Sequence, residues 1–408
     1  KKETVMHNDL RDALTKKLKL IDKELLDTLD MQVIPERNIS LASGYGGICL
    51  YFMTRYQQTG KEHYYDAATN LIDHVVKVTA NYPNATFCAG SSGIGWLIQY
   101  GFNIGFFDGD ANEILADYDN YFMQEMNANF EKGLYDFFHG GLGFGLYFLR
   151  RTSLKNHHVI IRSIVDNIER NAIVDDSFAK WYHYDFERNE QLPGVYNLGL
   201  AHGIPAIITF LTMVGEAGFE RERVAVLIRR ASNFLLTLQL PVKTTSMFPC
   251  FADSHKENFG STCRLGWCYG DLSVAVCLFR AGIFLNAPIL KEAAHNLIVH
   301  SIQRKFNDDT QIIDAGFCHG ATGIMYIYNW FYRHTGITEY RDAAIFCAKE
   351  SLRMARFEDG IQGFKSYTSS RGWTNDHGLL EGVAGIGLCY SSVLLHKHQT
   401  WSEWVLLT

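Results

Sequence analysis

Apolar residues along this chain fall into two kinds of segment. In the first kind they surround a helix almost completely, as in residues 202–211 (HGIPAIITFL), which is typical of a helix buried on both sides. In the second kind they recur at helical spacing opposite charged residues, as in 61–80 and 338–357, which predicts amphipathic helices. The alternation predicts an all-α protein built from pairs of one buried and one half-exposed helix.

Each buried segment opens with a short signature, a glycine followed three residues later by a small residue and then by an apolar run. The seven leading glycines are Gly44, Gly90, Gly140, Gly203, Gly270, Gly320 and Gly382. Their separations of 46 to 67 residues leave room for two helices in every repeat. Seven such repeats predict two concentric layers that close into an α/α toroid, with an open solenoid as the alternative. We therefore expect one domain over residues 1–408, with 1–39 as an N-terminal helical lead-in.

The residue directly before each leading glycine occupies an equivalent position in every repeat. These residues are Ser43, Ala89, His139, His202, Tyr269, His319 and Glu381. If all buried helices begin at the same end of the ring, their side chains line one opening. That set is richer in titratable groups than a helical core requires. Without further information, His139 and Glu381 are assigned supporting or structural roles there.

Two cysteines lie two positions before a leading glycine in neighbouring repeats, Cys268 in GWCYG and Cys318 in GFCHG. Together with His319 they offer two thiolates and an imidazole, a set typical of zinc. Three protein ligands leave the fourth position for water or substrate. The alternative is that both cysteines are small core residues, as buried cysteines usually are. Five further cysteines are assigned to the core: Cys49, Cys88, Cys277, Cys347 and Cys389.

Charge and cysteine usage narrow the class of protein. A net charge of −6 leaves no broad basic surface for nucleic acid or anionic lipid. The most apolar stretch, 271–290, contains Asp271, Arg280 and Pro288, so it predicts a buried helix and its end, not a transmembrane span. Nine cysteines without regular spacing predict free thiols in a reducing compartment, and hence a cytoplasmic location.

Four motifs resemble those of the lanthionine synthetase C-like family, the lantibiotic cyclases. They are NLGLAHG (197–203), RLGWCYG (264–270), GFCHG (316–320) and LLEGVAGIG (379–387). The similarity extends through all seven signatures, from about residue 40 onwards. It implies a zinc-containing α/α toroid. Members of this family add a cysteine thiol to dehydroalanine or dehydrobutyrine within a peptide, which makes a (methyl)lanthionine thioether ring.

The resemblance also implies which residues bind the metal. By motif, Cys268, Cys318 and His319 are the ligands of one Zn²⁺ per chain. Such an ion deprotonates a bound thiol outright. The fifth signature departs from the family where it continues GDLS, since glycine and proline are usual there. Asp271 is therefore expected to add a carboxylate near the opening and to affect substrate preference.

Four further residues receive active-site roles through the same resemblance: Asp136, His202, Arg264 and Tyr269. Addition of the thiolate generates an enolate, which the permanent charge and forked donors of Arg264 are suited to stabilise. His202 is the candidate to move the proton, because the histidine pKa lies near working pH. Asp136 would orient or charge His202, while Tyr269 would donate to the enolate or pack. Which of these residues delivers the proton stays open.

The implied partners are a dehydrated, leader-bearing precursor peptide and a separate dehydratase, for which this chain has no room. The protein would work free in the cytoplasm or peripherally in a membrane-associated biosynthetic complex. Two alternatives stay open: addition of glutathione or another thiol by the same chemistry, and a non-catalytic helical-repeat module that binds peptides. A zinc prenyltransferase is disfavoured, because few Lys or Arg cluster near the signatures. Residues 241–263 are predicted to form a loop at the opening.

Overall fold

Helices dominate the computed structural model of the chain, which describes residues 6, 8–31, 35, 38–241, 245–255, 262–395 and 400–408. Within these residues there are fourteen α-helices and one short 3₁₀ helix, Trp401–Val405. The α-helices are α1 (Asn8–Met31), α2 (Tyr45–Thr59), α3 (Glu62–Thr79), α4 (Ser91–Asn103), α5 (Asn112–Glu131), α6 (Gly141–Arg150), α7 (His157–Arg170), α8 (Ile204–Glu216), α9 (Arg221–Thr237), α10 (Asp271–Phe284), α11 (Pro288–Gln303), α12 (Ala321–Thr335), α13 (Thr338–Arg353) and α14 (Val383–Leu394). No helix in the described ranges is both long and apolar enough to cross a bilayer.

Eight short strands pair into four antiparallel two-stranded sheets within the same residues. The strands are β1 (Ile173–Val174), β2 (Ala179–Lys180), β3 (His183–Asp185), β4 (Glu190–Leu192), β5 (Val195–Asn197), β6 (Phe251–Asp253), β7 (Ser366–Thr368) and β8 (Gly372–Thr374). Three sheets join strands that lie close together in sequence, β1–β2, β3–β4 and β7–β8. The fourth pairs β5 with β6, with Tyr196 opposite Ala252. It therefore ties together the segments that lead into α8 and α10.

The predicted helix pairs are present. Every leading glycine directly precedes a helix, and these helices are the even-numbered ones. Their burial is that of a core: α8 is buried from Ile204 to Gly215. From α2 to α12, each even-numbered helix packs against the odd-numbered helix that follows it in sequence. In α3 the buried residues, among them Tyr64, Ala68, Leu71 and Val75, recur at helical spacing as predicted.

The leading glycines are required by a close backbone approach. A Cβ added to Gly203 would lie 2.1 Å from the carbonyl oxygen of Asn197, and one on Gly44 would lie 2.2 Å from that of Asn38. In both cases the colliding carbonyl belongs to the residue six positions earlier. In five repeats that residue is Asn or Asp, whose side chain accepts the N–H two residues on: Asn38, Asn84, Asn197, Asp314 and Asp376. A tight, repeated turn therefore delivers the chain to each buried helix.

The chain divides into two compact units. The first contains α1–α3 and α12–α14. In it α1 packs on α14, so the N-terminal helix is the amphipathic partner of the seventh signature. The Cys318 N–H donates to the Leu380 carbonyl (2.9 Å), and the Leu380 N–H donates to the Ala42 carbonyl (2.9 Å). Backbone hydrogen bonds thus link the turns of the sixth, seventh and first repeats.

The second unit contains α4–α11, the strands β1–β6 and residues 403–407. The same kind of link occurs here, since the Cys88 N–H donates to the Phe138 carbonyl (3.2 Å). The C-terminal residues are held by hydrogen bonds from Trp96 Nε1 to Glu403 (3.0 Å) and from Trp267 Nε1 to the Val405 carbonyl (2.8 Å). That the whole chain acts as one domain stays a prediction.

One cysteine expectation is wrong. Cys250 and Cys263 form a disulfide across a sequence separation of 13, whereas all cysteines were expected to be free. Strand β6 begins directly after Cys250 and pairs with β5, so the disulfide joins the start of β6 to the residue before Arg264. Spacing alone carries no signal for this pairing. The other seven cysteines are free and buried.

Candidate active site and metal ligands

Three of the side chains that directly precede leading glycines form an aromatic row in the second unit: His139, His202 and Tyr269. The rings of His139 and His202 lie 5.6 Å apart, centroid to centroid, with an interplanar angle of 14°. The rings of His202 and Tyr269 lie 5.9 Å apart at 30°. Equivalent positions in consecutive repeats therefore bring their side chains into contact, as the register predicted.

Asp136 holds the central ring of this row. Its Oδ2 lies 2.8 Å from Nδ1 of His202, and its Oδ1 accepts the backbone N–H of His139 at 2.8 Å. Burial alone would lower the pKa of His202, but the charge of Asp136 and this hydrogen bond outweigh burial and raise the pKa. His202 keeps 23% of its side chain exposed, so this imidazole is within reach of a substrate. The predicted pairing of Asp136 with His202 is present.

His139 differs from His202 in its protonation. Burial lowers the pKa of His139; the Asp136 charge opposes this and His202 reinforces it. Nδ1 of His139 lies 3.5 Å from Sγ of Cys88, a thiol whose pKa burial and the Asp136 charge raise to about 12. Sequence reasoning assigned Cys88 to the core. The missed signal was its position two residues before Gly90, which matches that of Cys268 and Cys318.

Tyr269 is fixed on the far side of the row. Its hydroxyl accepts an N–H from Asn197 Nδ2 (3.2 Å), and a Cβ added to Gly199 would lie 2.7 Å from its ring. The ring of Phe251, which is part of β6, lies 5.6 Å from the ring of Tyr269. The β5–β6 sheet therefore places two residues that contact Tyr269. Both sites of contact keep the phenol beside His202.

Arg264 occupies the position six residues before Gly270, where five other repeats have the turn-forming Asn or Asp. Gly270 has φ +88°, unlike the other leading glycines, and a Cβ added to it would lie 2.5 Å from the Arg264 carbonyl oxygen. Only glycine adopts this backbone readily at so close an approach. The fifth turn therefore differs in conformation from the others. The Arg264 side chain is half-buried.

The described residues include a set of Cys and His side chains that could hold a metal ion, namely Cys268, Cys318 and His319. Each cysteine is 8% exposed, so either thiolate would be largely shielded from bulk water. Two thiolates and one imidazole are borderline-soft donors that suit Zn²⁺. The donor set fits the metal that the sequence predicted.

Carboxylates lie beside His319 within the first unit. Glu381 Oε1 is 3.6 Å from Nδ1 of His319, and Asp314 has an oxygen within 4.8 Å of ligand atoms on both. Asp314 already accepts the N–H groups of Gly316 (3.0 Å) and Tyr367 (2.8 Å), so its role is to shape the turn. Glu381 is the carboxylate that faces the imidazole.

Asp271 does not lie at an opening, contrary to expectation. Its side chain is completely buried, and Oδ1 accepts the N–H groups of Met247 and Phe248, each at 2.9 Å. Oδ2 lies 3.5 Å from Arg304 and 3.6 Å from His300. As the first residue of α10, it also suits the positive end of the helix dipole. Asp271 therefore anchors the segment before Arg264 and is not placed to select substrates.

Comparisons with known proteins agree with this fold and these motifs. Nisin cyclase matches with a TM-score of 0.74 and 17% identity, covering 95% of this chain and 96% of its own. A sugar epimerase from a ruminal bacterium matches with a TM-score of 0.44 and 11% identity, over 89% of this chain and 88% of its own, too distant to support an argument. No curated protein sequence matches significantly.

The likeness to nisin cyclase confirms the predicted fold class, an all-α fold of the α/α toroid type. The sequence profile described as lanthionine synthetase C-like protein matches residues 35–406. The chain belongs to the lanthionine synthetase C-like family.

Proposed function

We propose that this protein is a zinc-dependent lanthipeptide cyclase. It would add cysteine thiols to dehydroalanine or dehydrobutyrine in a precursor peptide, forming lanthionine and methyllanthionine rings. The observation that carries the proposal is the hydrogen bond between Asp136 and His202, which holds the proposed acid beside Tyr269. Tyr269 directly follows Cys268 in sequence. Membership of the family and the intact motifs around both cysteines support it.

Cys268, Cys318 and His319 would hold the metal. Zn²⁺ bound by them would lower the pKa of a substrate thiol, so that the thiolate nucleophile is present at neutral pH. The structure provides these donors on the turns before α10 and α12, and their identity and burial support the assignment.

The other residues act on the peptide. Attack of the thiolate on the β-carbon moves negative charge to the carbonyl oxygen of the dehydro residue, and the Arg264 guanidinium would stabilise it there. His202, held through Nδ1 by Asp136, would give the proton on Nε2 to the α-carbon. Asp136, which contacts Nδ1, would stabilise the imidazolium before transfer. The net reaction adds S–H across a C=C bond and leaves the peptide mass unchanged.

The partners follow from the chemistry of the substrate. Dehydro residues arise by loss of water from serine and threonine, so a separate dehydratase would supply the peptide, which would carry a leader segment. The proposed location is the cytoplasm, free or peripheral to a membrane-associated complex.

Metal content and ring formation test the proposal together. The native protein is expected to contain about one zinc per chain by metal mass spectrometry, because three protein ligands are present. With a dehydrated precursor peptide it should consume free thiols, counted by alkylation, with no change of mass. His202→Asn should retain the zinc and lose most of the rate. Protein that takes up no added zinc and leaves all thiols free would contradict the proposal. Added glutathione reports whether an external thiol is used instead.

A further inference from the structure

A second imidazole, which the proposed reaction does not use, lies beside the Asp136–His202 pair. The ring of His139 stacks on that of His202 at 5.6 Å and receives the edge of Phe186 at 5.6 Å. Phe186 is 50% exposed and His139 is half-buried, so this end of the aromatic row is accessible from solvent. His139 and His202, which keeps 23% of its side chain exposed, are therefore both accessible from solvent.

The contact between Cys88 and His139 bears on which ring nitrogen carries a proton. Its Sγ lies 3.5 Å from Nδ1, and burial keeps the sulfur protonated by raising the pKa of this thiol to about 12. A thiol S–H is a weak donor, and an unprotonated imidazole nitrogen is an acceptor. An S–H group that donates to Nδ1 leaves the proton of the neutral ring on Nε2.

The remaining nitrogen is available to a substrate. Within the described residues, no protein group forms a hydrogen bond with Nε2 of His139. The titratable groups facing the ring are Asp136, His202 and Cys88, and burial outweighs the carboxylate and lowers the pKa of His139. A ring whose pKa is lowered, stacked on one whose pKa is raised, gives the two histidines different functions.

We propose that His139 is a further catalytic residue whose Nε2–H donates a hydrogen bond to the carbonyl oxygen of the dehydro residue, and that Cys88 positions this donor by fixing the tautomer. The inference rests on the proposed function. As sulfur bonds to the β-carbon, the π electrons move to the carbonyl oxygen, which His139 and Arg264 stabilise together. The electrons return when the α-carbon takes a proton from His202. No proton leaves His139.

The contact between Cys88 and His139 has an equivalent pair of positions elsewhere in the repeats. Cys88 and His139 occupy, in the second and third repeats, the positions that Cys268 and His319 occupy in the fifth and sixth. In the second unit the thiol and the imidazole contact each other. The same pair of positions is thus used for an organic hydrogen-bond donor instead of metal ligation.

Two amide substitutions of His139 distinguish the contributions of its two ring nitrogens, Nδ1 and Nε2. The side-chain nitrogen of Gln reaches the position of Nε2, and that of Asn reaches the position of Nδ1. His139→Asn is expected to lower kcat on the order of 10²–10³-fold, the usual effect of losing one oxyanion donor, with KM nearly unchanged. His139→Gln should retain clearly more of kcat. Wild-type rates in both variants, or equal losses in both, would overturn the assignment.

Zinc content and melting temperature, measured on the same variants, show whether a loss arises from misfolding. The tautomer can be read without turnover, by ¹⁵N NMR of histidine-labelled protein, with the His139 signals assigned by their absence in His139→Gln. The wild type should show the neutral Nε2–H form, and Cys88→Ala should lose that preference, which Cys88→Ser should restore in part. An Nδ1–H form in the wild type overturns the inference. If the wild-type protein forms no rings, the proposed function is wrong. If His139→Asn has a normal rate, only the inference about His139 is wrong.

Discussion

The imidazole of His202 is bound through Nδ1 to Oδ2 of Asp136 at 2.8 Å, and this contact determines the protonation of the proposed acid. Because Asp136 outweighs burial, the pKa of His202 is raised, and the ring stays protonated to higher pH than free histidine. Asp136→Asn removes the charge and should lower that pKa. We expect the alkaline limb of the kcat–pH profile to move to lower pH, with kcat reduced at neutral pH.

The sign for stability follows from the same shift. A raised pKa means that the pair stabilises the fold fully below the unfolded pKa of histidine, and that this contribution is lost as pH rises through the folded pKa. Urea midpoints of Asp136→Asn and wild type should therefore converge at alkaline pH. The pKa of His202 is also affected by Cys268, and its ring stacks on those of His139 and Tyr269. Asp175→Asn, which removes an exposed carboxylate in the same unit, is the control for the loss of one negative charge. An unchanged alkaline limb in Asp136→Asn would show that His202 is not the acid.

Two cysteines with the same register test the metal assignment. Cys318→Ala should lose nearly all zinc, because a three-ligand site is reduced to two. Cys88→Ala changes a buried cysteine at the same position of another repeat and should keep about one zinc per chain. Metal mass spectrometry on both proteins decides. Equal zinc in the two variants would contradict the proposal that Cys318 is a ligand.

Much of the fold could be predicted because its signals are local and repeated. A glycine before an apolar run gives seven helix starts, and the structure has a helix directly after each one. The row of His139, His202 and Tyr269 follows from the same register, since equivalent positions in stacked repeats lie side by side.

What could not be predicted depends on contacts between segments far apart in sequence. The β5–β6 pairing joins residues near 196 and 252, and the disulfide joins Cys250, directly before β6, to Cys263. Asp271 is hydrophilic and begins a helix, but its burial depends on where Met247 and Phe248 place their N–H groups. The contact between Cys88 and His139 was within reach of the sequence, because the register that relates Cys268 to Cys318 also includes Cys88.

The buried position of Asp271 predicts a loss of stability, not a change of substrate, when it is replaced. Asp271→Asn removes the carboxylate charge that pairs with the Arg304 guanidinium, which is 3% exposed, and breaking a buried ion pair costs about 3–5 kcal/mol. Hydrogen exchange should become faster at the backbone N–H groups of Met247 and Phe248, which donate hydrogen bonds to this carboxylate. Relative rates with different dehydrated peptides should not change. A changed preference with normal stability would restore the expectation drawn from the sequence.

The Cys250–Cys263 disulfide predicts how a reductant acts on the second unit. Closing a loop of this length stabilises a protein by about 3 kcal/mol, mainly by restricting the unfolded chain. Cys250→Ser should lower the urea midpoint, and a phosphine reductant should lower that of the wild type to the same value while leaving the variant unchanged. The variant thus controls for other effects of the reductant. Because Cys263 directly precedes Arg264, reduction should also lower the cyclisation rate by loosening the support of that guanidinium. Non-reducing peptide mapping that recovers both thiols free, with a midpoint insensitive to reductant, would contradict the bond and with it this coupling.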